Sequence, residues 1–171
     1  MKRLLLAAAL SLLTATSAMA QTVYLVRHAE KADASADPLL SEAGQARAAA
    51  LSAALAEAHP GHIFTSTLQR TRLTAAPTAE FHSATVEPIG FEGGATAHVA
   101  AIAGRVRALP DDAVVLIVGH SNTVPLIARA LGYAEAADMP ECEYDRMTVL
   151  HLMEGGARAQ VSRYGAPTNC P

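Results

Sequence analysis

The 171-residue sequence contains no tryptophan and three phenylalanines, and aromatic residues make up 4% of the chain in all. Half of the chain is hydrophobic, but 38 residues are alanine, so a core has to be built mainly from leucine, valine and isoleucine. The composition still excludes a disordered chain, because disordered segments combine few apolar residues with a high net charge.

Basic residues are not in excess, since 13 Lys and Arg stand against 16 Asp and Glu and the formal net charge is -3. A nucleic-acid-binding domain usually shows a stripe of basic residues. We therefore expect no nucleic-acid partner.

Cysteine is scarce, with one residue at position 142 and one at position 170. This spacing matches no zinc or redox motif. We expect a structural disulfide that ties the C-terminal tail to the loop before the last strands, with two free thiols as the alternative. His59 and His62 lie close together, but no further ligands cluster near them, so we expect no metal site and no cofactor.

The longest hydrophobic run, Leu4–Leu13, is too short for a stable transmembrane helix, which needs about 20 apolar residues. Two basic residues precede this run, and the small-residue sequence Ala18-Met19-Ala20 follows it. This pattern predicts a cleavable signal peptide over residues 1–20, with cleavage after Ala20. We then expect a single domain over residues 21–171, a periplasmic or secreted location, and no stable membrane anchor.

Apolar β-rich runs alternate with helical patterns along the rest of the chain. The pattern predicts an α/β fold with a mostly parallel central sheet, helices on both faces and an antiparallel edge strand formed by a final hairpin. Pro77 is expected to kink or restart the second helix, which is predicted to reach about residue 75. The predicted strands are 22–26, 62–65, 84–89, 113–118, 147–152 and 159–163, and the predicted helices are 41–58, 68–75, 97–109 and 124–131.

Charged and polar residues follow three of the predicted strands. Arg27 and His28 come after the first strand, Arg70 shortly after the second, and His120 after the fourth. Ligands of open α/β sheets bind at the carboxyl ends of the strands, and core packing does not require charged residues there. We therefore expect these four side chains to converge on one site.

Phosphoryl transfer is the chemistry that fits two histidines and two arginines. A neutral imidazole is a good nucleophile near neutral pH, because its ordinary pKa is about 6.5. Guanidinium groups neutralise the oxygens of the transferred phosphoryl group, and a second histidine can donate a hydrogen bond to them. No metal is needed if the arginines supply the positive charge.

Four sequence blocks resemble, in order, the motifs of the histidine phosphatase superfamily, which includes phosphoglycerate mutases and acid phosphatases. The resemblance implies that His28 is a nucleophile that becomes phosphohistidine, and that Arg27, Arg70 and His120 bind the phosphate. The short chain looks like small exported bacterial members, and it lacks the longer insertions of the mutases. The blocks are Tyr24–Lys31, Leu40–Gly44, Ser66–Thr71 and Val118–Thr123.

Many members of this superfamily have an acidic residue that protonates the leaving group, between the second arginine and the second histidine. The candidates here are Glu87 and Glu92. We favour Glu92 as a catalytic residue, because it lies in a glycine-bearing loop that a substrate can approach closely. Glu87 lies in a predicted strand and can simply face solvent. It remains open whether Glu92, Glu87 or neither acts as the acid.

The sequence predicts an exported, metal-independent phosphomonoesterase that works through His28 on a small-molecule phosphomonoester. One alternative is a phosphatase of phosphohistidine on a protein, and another is a non-catalytic phosphate-binding module. A serine hydrolase is a further rival, because Ser121 follows a strand, but Thr123 stands where the nucleophile elbow needs glycine.

Overall fold

A computed structural model of the protein describes residues 20–170. The predicted signal peptide, apart from Ala20, lies outside the described residues. The strands are β1 (Thr22–Arg27), β2 (His62–Ser66), β3 (Thr85–Ile89), β4 (Val114–Gly119), β5 (Arg146–Met153) and β6 (Gly156–Arg163). The helices are α1 (Glu42–Ala54), α2 (Gln69–His82), α3 (Gly94–Arg107) and α4 (Val124–Ala130).

The six strands form one sheet in the order β3-β2-β4-β1-β5-β6. Strands β1 to β4 are parallel to one another, whereas β5 runs antiparallel to β1, and β6 pairs antiparallel with β5 at the edge. The predicted α/β fold with a mostly parallel sheet and an antiparallel edge strand is therefore confirmed. As a result, the carboxyl ends of β2, β4 and β1 lie side by side at one edge of the sheet.

Helices cover both faces of the sheet, as predicted. On one face, α1 and α2 pack Leu51, Leu55 and Ala75 against buried residues of β1, β2 and β4. On the other face, α3 and α4 contribute the buried side chains Val99, Ile102, Val106, Val124 and Ile127. Residues 23–26 of β1 and all of β4 are apolar because both faces of these strands are covered in this way.

Three predicted helix boundaries were wrong. Helix α1 ends at Ala54, and residues 55–58, which were predicted to be helical, form a turn. Helix α2 continues through Pro77 to His82, because buried Thr74, Ala75 and Thr78 hold this segment in place despite the hydrogen bond that proline removes. Helix α3 begins at Gly94, inside the predicted loop, because Gly93 has a φ of 84° that lets the chain enter the helix early.

Cys142 and Cys170 form a disulfide, with their Cα atoms 5.4 Å apart. The expected bridge between the C-terminal tail and the loop before β5 is therefore confirmed. This loop, residues 132–145, also contacts the candidate site described below. Among residues 20–170, no helix has the length and apolar character needed to cross a membrane.

Removing the disulfide should lower the free energy of unfolding by about 3 to 4 kcal/mol, because the bridge closes a loop with a sequence separation of 28 residues. The Cys142→Ser/Cys170→Ser double variant and the wild type can be compared by urea denaturation. Reduced wild-type protein should resemble the double variant. Equal urea midpoints for the oxidised wild type and the double variant would contradict the expectation.

Candidate active site

One cavity of about 300 Å³ lies where the carboxyl ends of β1, β2 and β4 meet. The four side chains predicted to converge, Arg27, His28, Arg70 and His120, all line it. The rings of His28 and His120 are 5.2 Å apart between centroids. The rest of the lining comes from Lys31, Leu68, Phe91, Ser121, Asn122 and Glu141.

His28 is held so that one ring nitrogen is free. Its Nδ1 lies 2.8 Å from the carbonyl oxygen of Ala29. A carbonyl only accepts hydrogen bonds, so this contact assigns the proton to Nδ1 and leaves the lone pair on Nε2. The backbone N–H of His28 donates to the carbonyl of Gly119, which fixes the residue against the end of β4.

Burial lowers the pKa of His28 to about 4, and the positive charges of Arg27, Arg70 and Lys31 lower it as well. The hydrogen bond with the Ala29 carbonyl acts in the opposite direction but does not offset the burial. The imidazole is therefore neutral at pH 7. A neutral ring with a free Nε2 is the form that can attack phosphorus.

The segment that follows His28 is locked against α1. A Cβ atom on Gly44 would lie 2.3 Å from the carbonyl oxygen of Glu30, so only glycine lets the helix pack this closely. The Glu30 carboxylate accepts hydrogen bonds from the buried guanidinium of Arg47, with the closest at 2.7 Å. Glu30 thus helps to hold the segment that carries His28 against α1, which gives this residue of the first motif a structural role.

The backbone of the loop before β5 holds the buried Arg27 guanidinium. Its Nη1 donates to the carbonyl oxygens of Pro140, Glu141 and Glu143. Its Nη2 donates to the Glu141 carboxylate at 2.7 Å, and the Tyr144 ring lies 4.1 Å from the guanidinium carbon. The position of Arg27 therefore depends on a part of the chain more than a hundred residues away.

Two guanidinium N–H groups in this cavity are buried and have no hydrogen-bond partner among the described residues. They are the Nε atoms of Arg27 and Arg70. Arg70 reaches His120 with its Nη2 at 3.5 Å and the carbonyl of Ala36 with its Nη1 at 3.3 Å. An unsatisfied buried donor costs about 1 to 3 kcal/mol, so the burial of these two N–H groups is unfavourable in the free protein.

His120 is neutral as well. Its Nε2 lies 3.0 Å from the Ser66 hydroxyl, and its Nδ1 faces the Arg70 guanidinium, which can only donate. This arrangement assigns the proton to Nε2. Burial, together with smaller contributions from the neighbouring His28 and Arg70, lowers the pKa of His120 to about 3.

Acidification should destabilise the protein, because both histidines are neutral when folded and have pKa values of about 6.5 when unfolded. The unfolded chain then binds more protons once the pH falls below about 6.5, so the stability contributed by the two neutral histidines is complete above this pH and decreases as the pH falls toward their folded pKa values of about 4 and about 3. From pH 7 to pH 5 the free energy of unfolding should fall by about 2 to 4 kcal/mol. Urea denaturation at both pH values measures this change.

The matched control for this acid effect is the His28→Asn/His120→Asn double variant. Its stability should depend much less on pH across the same range, because the two depressed pKa values are gone. The same acid sensitivity in the variant and the wild type would assign the effect to other groups.

The structure does not bring the predicted acid into the cavity lining. Glu92 is exposed, and its carboxylate folds back over Gly90. Glu87 forms an exposed ion pair with Arg105 at 3.1 Å. The acid role of Glu92 stays a prediction, and its carboxylate would have to turn toward the cavity to fulfil it.

Sequence reasoning missed Glu141, the one carboxylate among the described residues that lines the cavity. It accepts hydrogen bonds from Arg27 and from the Ser121 hydroxyl. The Ser121 hydrogen bond and the charge of Arg27 keep the pKa of Glu141 below its usual range. Because Ser121 donates to a carboxylate and not to a histidine, the arrangement disfavours a serine nucleophile.

No sequence signal pointed to Glu141, because it follows no strand and lies in an irregular loop. Thr123 is the N-cap residue of α4. The Thr123 hydroxyl accepts a hydrogen bond from the backbone N–H of His120. Among residues 20–170, no group of three or more His, Cys, Asp or Glu side chains could hold a metal ion.

Comparison with known proteins agrees with this geometry. Residues 23–90 match the family model of the histidine phosphatase superfamily (branch 1). This segment includes Arg27, His28 and Arg70, whereas His120 lies beyond it. No curated protein sequence matched the chain.

Solved structures of this superfamily's fold resemble the chain over most of its length. A Nakamurella multipartitia protein provisionally named phosphohistidine phosphatase SixA is 29% identical, with a TM-score of 0.63 over 86% of this chain and 98% of that one. A mycobacterial glucosyl-3-phosphoglycerate phosphatase is 18% identical, with a TM-score of 0.60 over 86% and 99%. The protein histidine phosphatase SixA complexed with tungstate is 16% identical, with a TM-score of 0.64 over 83% and 96%. The chain thus has the histidine phosphatase fold, with a superfamily match over residues 23–90.

Proposed function

We propose that the protein is a metal-independent phosphatase that hydrolyses small phosphomonoesters through a phosphohistidine on His28. The observation that carries this proposal is one cavity lined by the guanidinium groups of Arg27 and Arg70 and by a neutral His28 whose Nε2 lone pair is free. Two fixed donors and a nucleophile with a free lone pair are what transfer of a phosphoryl group needs.

In the first step, His28 Nε2 attacks phosphorus, the bond from phosphorus to the ester oxygen breaks, and the alcohol leaves. The leaving oxygen takes its proton from water, or from Glu92 if its loop turns inward. Glu141 is ionised in the free protein and has no proton to give. The positive charges of Arg27 and Arg70 stabilise the phosphoryl oxygens while their charge builds up, and His120 donates to them if its Nε2–H turns from the Ser66 hydroxyl toward the cavity.

In the second step, a water oxygen attacks the phosphorus of phosphohistidine and the P–N bond breaks. The electron pair returns to Nε2, and the water proton leaves with the phosphate. This step regenerates neutral His28, so no net charge has to stay buried between turnovers.

A second candidate is a phosphatase that removes phosphate from phosphohistidine on another protein. The likeness to the Nakamurella multipartitia protein favours it, because that protein's name specifies this activity. The same groups would act, with a P–N bond broken in place of a P–O bond. The proposed export of this chain makes a small external phosphomonoester the better-supported substrate.

Export is proposed from the leader pattern of residues 1–20, and the Cys142–Cys170 disulfide supports it, because such bonds persist in oxidising compartments. Expression of the full chain in a bacterial host, followed by cell fractionation and N-terminal sequencing, tests the proposal. A periplasmic or secreted product that starts at Gln21 supports it. An intact chain in the cytoplasm would contradict it.

The activity is tested with two substrates in the presence of EDTA, namely an aryl phosphate and a peptide carrying phosphohistidine. Faster hydrolysis of the aryl phosphate supports the proposed function, whereas a marked preference for the peptide supports the second candidate. Phosphate binding without hydrolysis of either substrate would leave a non-catalytic phosphate-binding module. Activity that is lost in EDTA and restored by a metal ion would contradict metal independence.

A further inference from the structure

A second cavity of about 310 Å³ adjoins the cavity lined by Arg27, His28, Arg70 and His120, which is called the phosphate cavity below. Ser121, Asn122 and Glu141 line both cavities, so the two lie next to each other on the same part of the surface. The remaining lining residues of the second cavity are Pro125, Leu126, Asp138 and Met139. The mechanism given above uses none of these four.

The two cavities differ in charge. Five basic or imidazole side chains line the phosphate cavity, whereas no basic side chain lines the second one. The two carboxylates of the second cavity are each paired, Glu141 with Arg27 and Asp138 with Arg129, both at 2.7 Å. The second cavity is therefore close to neutral on balance, and it presents carboxylate oxygens and no free cation to a ligand.

The floor of the second cavity is apolar. Leu126 is one of the few large hydrophobic residues left exposed, at 39%, and it lies beside the buried Met139. Covering an apolar side chain of this size is favourable, since about 25 cal/mol is gained for each Å² removed from water. An apolar group attached to a bound phosphoryl group would cover Leu126.

We propose that the second cavity is the leaving-group subsite and that it selects apolar leaving groups that are uncharged or cationic. This inference rests on the proposed function for the placement of the phosphoryl group. An anionic leaving group is disfavoured because it would meet the carboxylates of Glu141 and Asp138 and no basic side chain among the residues that line this cavity. The substrate class is then a phosphomonoester of an apolar alcohol or an amino alcohol, in preference to a phosphorylated acid.

The test measures binding, so it does not depend on turnover. The probes are benzylphosphonate, its 4-aminomethyl derivative and its 4-carboxy derivative, which share one phosphonate and differ in the charge at the far end. Calorimetry on the full-length protein should show binding of the first two about tenfold tighter than the carboxy derivative. Inorganic phosphate serves as the reference ligand for the phosphate cavity.

The informative variant is Leu126→Lys, which places a cation on the apolar floor. It should weaken binding of the benzyl and aminomethyl probes about tenfold and tighten binding of the carboxy probe, while binding of inorganic phosphate stays unchanged. The matched control is Leu73→Lys, because Leu73 is also a helical leucine with 39% exposure and lines neither cavity. This control should bind all four ligands as the wild type does.

Equal affinity of the wild type for the three phosphonates would overturn the subsite, and so would a uniform effect of Leu126→Lys on all ligands. Hydrolysis of benzyl phosphate is measured in parallel. Selective binding without hydrolysis would support the subsite and contradict the proposed catalytic function. Hydrolysis without selective binding would support the proposed catalytic function and contradict the subsite.

Discussion

Replacing His28 with asparagine should lower kcat for aryl phosphate hydrolysis at least about a thousandfold, because the bond to phosphorus then has no nucleophile. Asparagine keeps an amide N–H that can still donate to the Ala29 carbonyl, so the loop after β1 is expected to stay in place. Steady-state kinetics measure the loss. Mass spectrometry of alkali-quenched enzyme, in which the acid-labile P–N bond survives, should find one added phosphoryl group on the wild type and none on the variant.

The control for His28→Asn is His59→Asn, because His59 is an exposed histidine with a φ of 52°, which asparagine tolerates well. It should keep full activity. If His28→Asn retained activity with a native circular dichroism spectrum, another group would have to be the nucleophile. The proposed phosphohistidine would then be excluded.

Replacing Arg70 with alanine should lower kcat/KM about a hundredfold to a thousandfold, because the transferred phosphoryl group loses one of its two guanidinium partners. Inorganic phosphate should also bind more weakly, since the Arg70 guanidinium is one of the positive charges that line the cavity. Kinetics and phosphate inhibition measure both effects. The fold should tolerate the change, because Arg70 is half-buried at the start of α2 and forms no ion pair among residues 20–170.

Arg72 provides the matched control for Arg70, since it lies two residues further along α2 and is exposed. On a helix, residues two apart do not share a face, so Arg72 points away from the cavity. Arg72→Ala should therefore leave kcat/KM unchanged. Equal losses in both variants would indicate a general effect of charge, and no loss in Arg70→Ala would contradict the phosphate-binding role.

The sequence was sufficient to predict the fold class and the four residues that converge. The reason is physical, since buried parallel strands are continuous apolar runs and charged residues directly after them have few structural explanations. Arg27, His28, Arg70 and His120 all follow such strands, and they meet because β2, β4 and β1 are neighbours. Their catalytic roles stay predictions until the variants are measured.

The sequence did not reveal the contribution of the loop before β5. This loop has neither helical nor strand periodicity, so nothing in its pattern shows that its carbonyl groups hold Arg27 or that Glu141 lines the cavity. The predicted end of the second helix near Pro77 was wrong for a different reason. The local cost of proline in a helix is known, but the tertiary packing of Thr74 and Thr78 that outweighs it is visible only in the fold.

The hydrogen bonds between Arg27 and the loop before β5 determine how late in synthesis the candidate site can form. Arg27 lies on β1, the first strand of the described chain to be made, whereas the carbonyls that hold it come from residues 140–143. The disulfide that anchors the same loop closes only after residue 170 has been added. A nascent chain that already contains His28, Arg70 and His120 therefore still lacks the carbonyl groups that hold Arg27, and the candidate site can be complete only when synthesis has nearly ended.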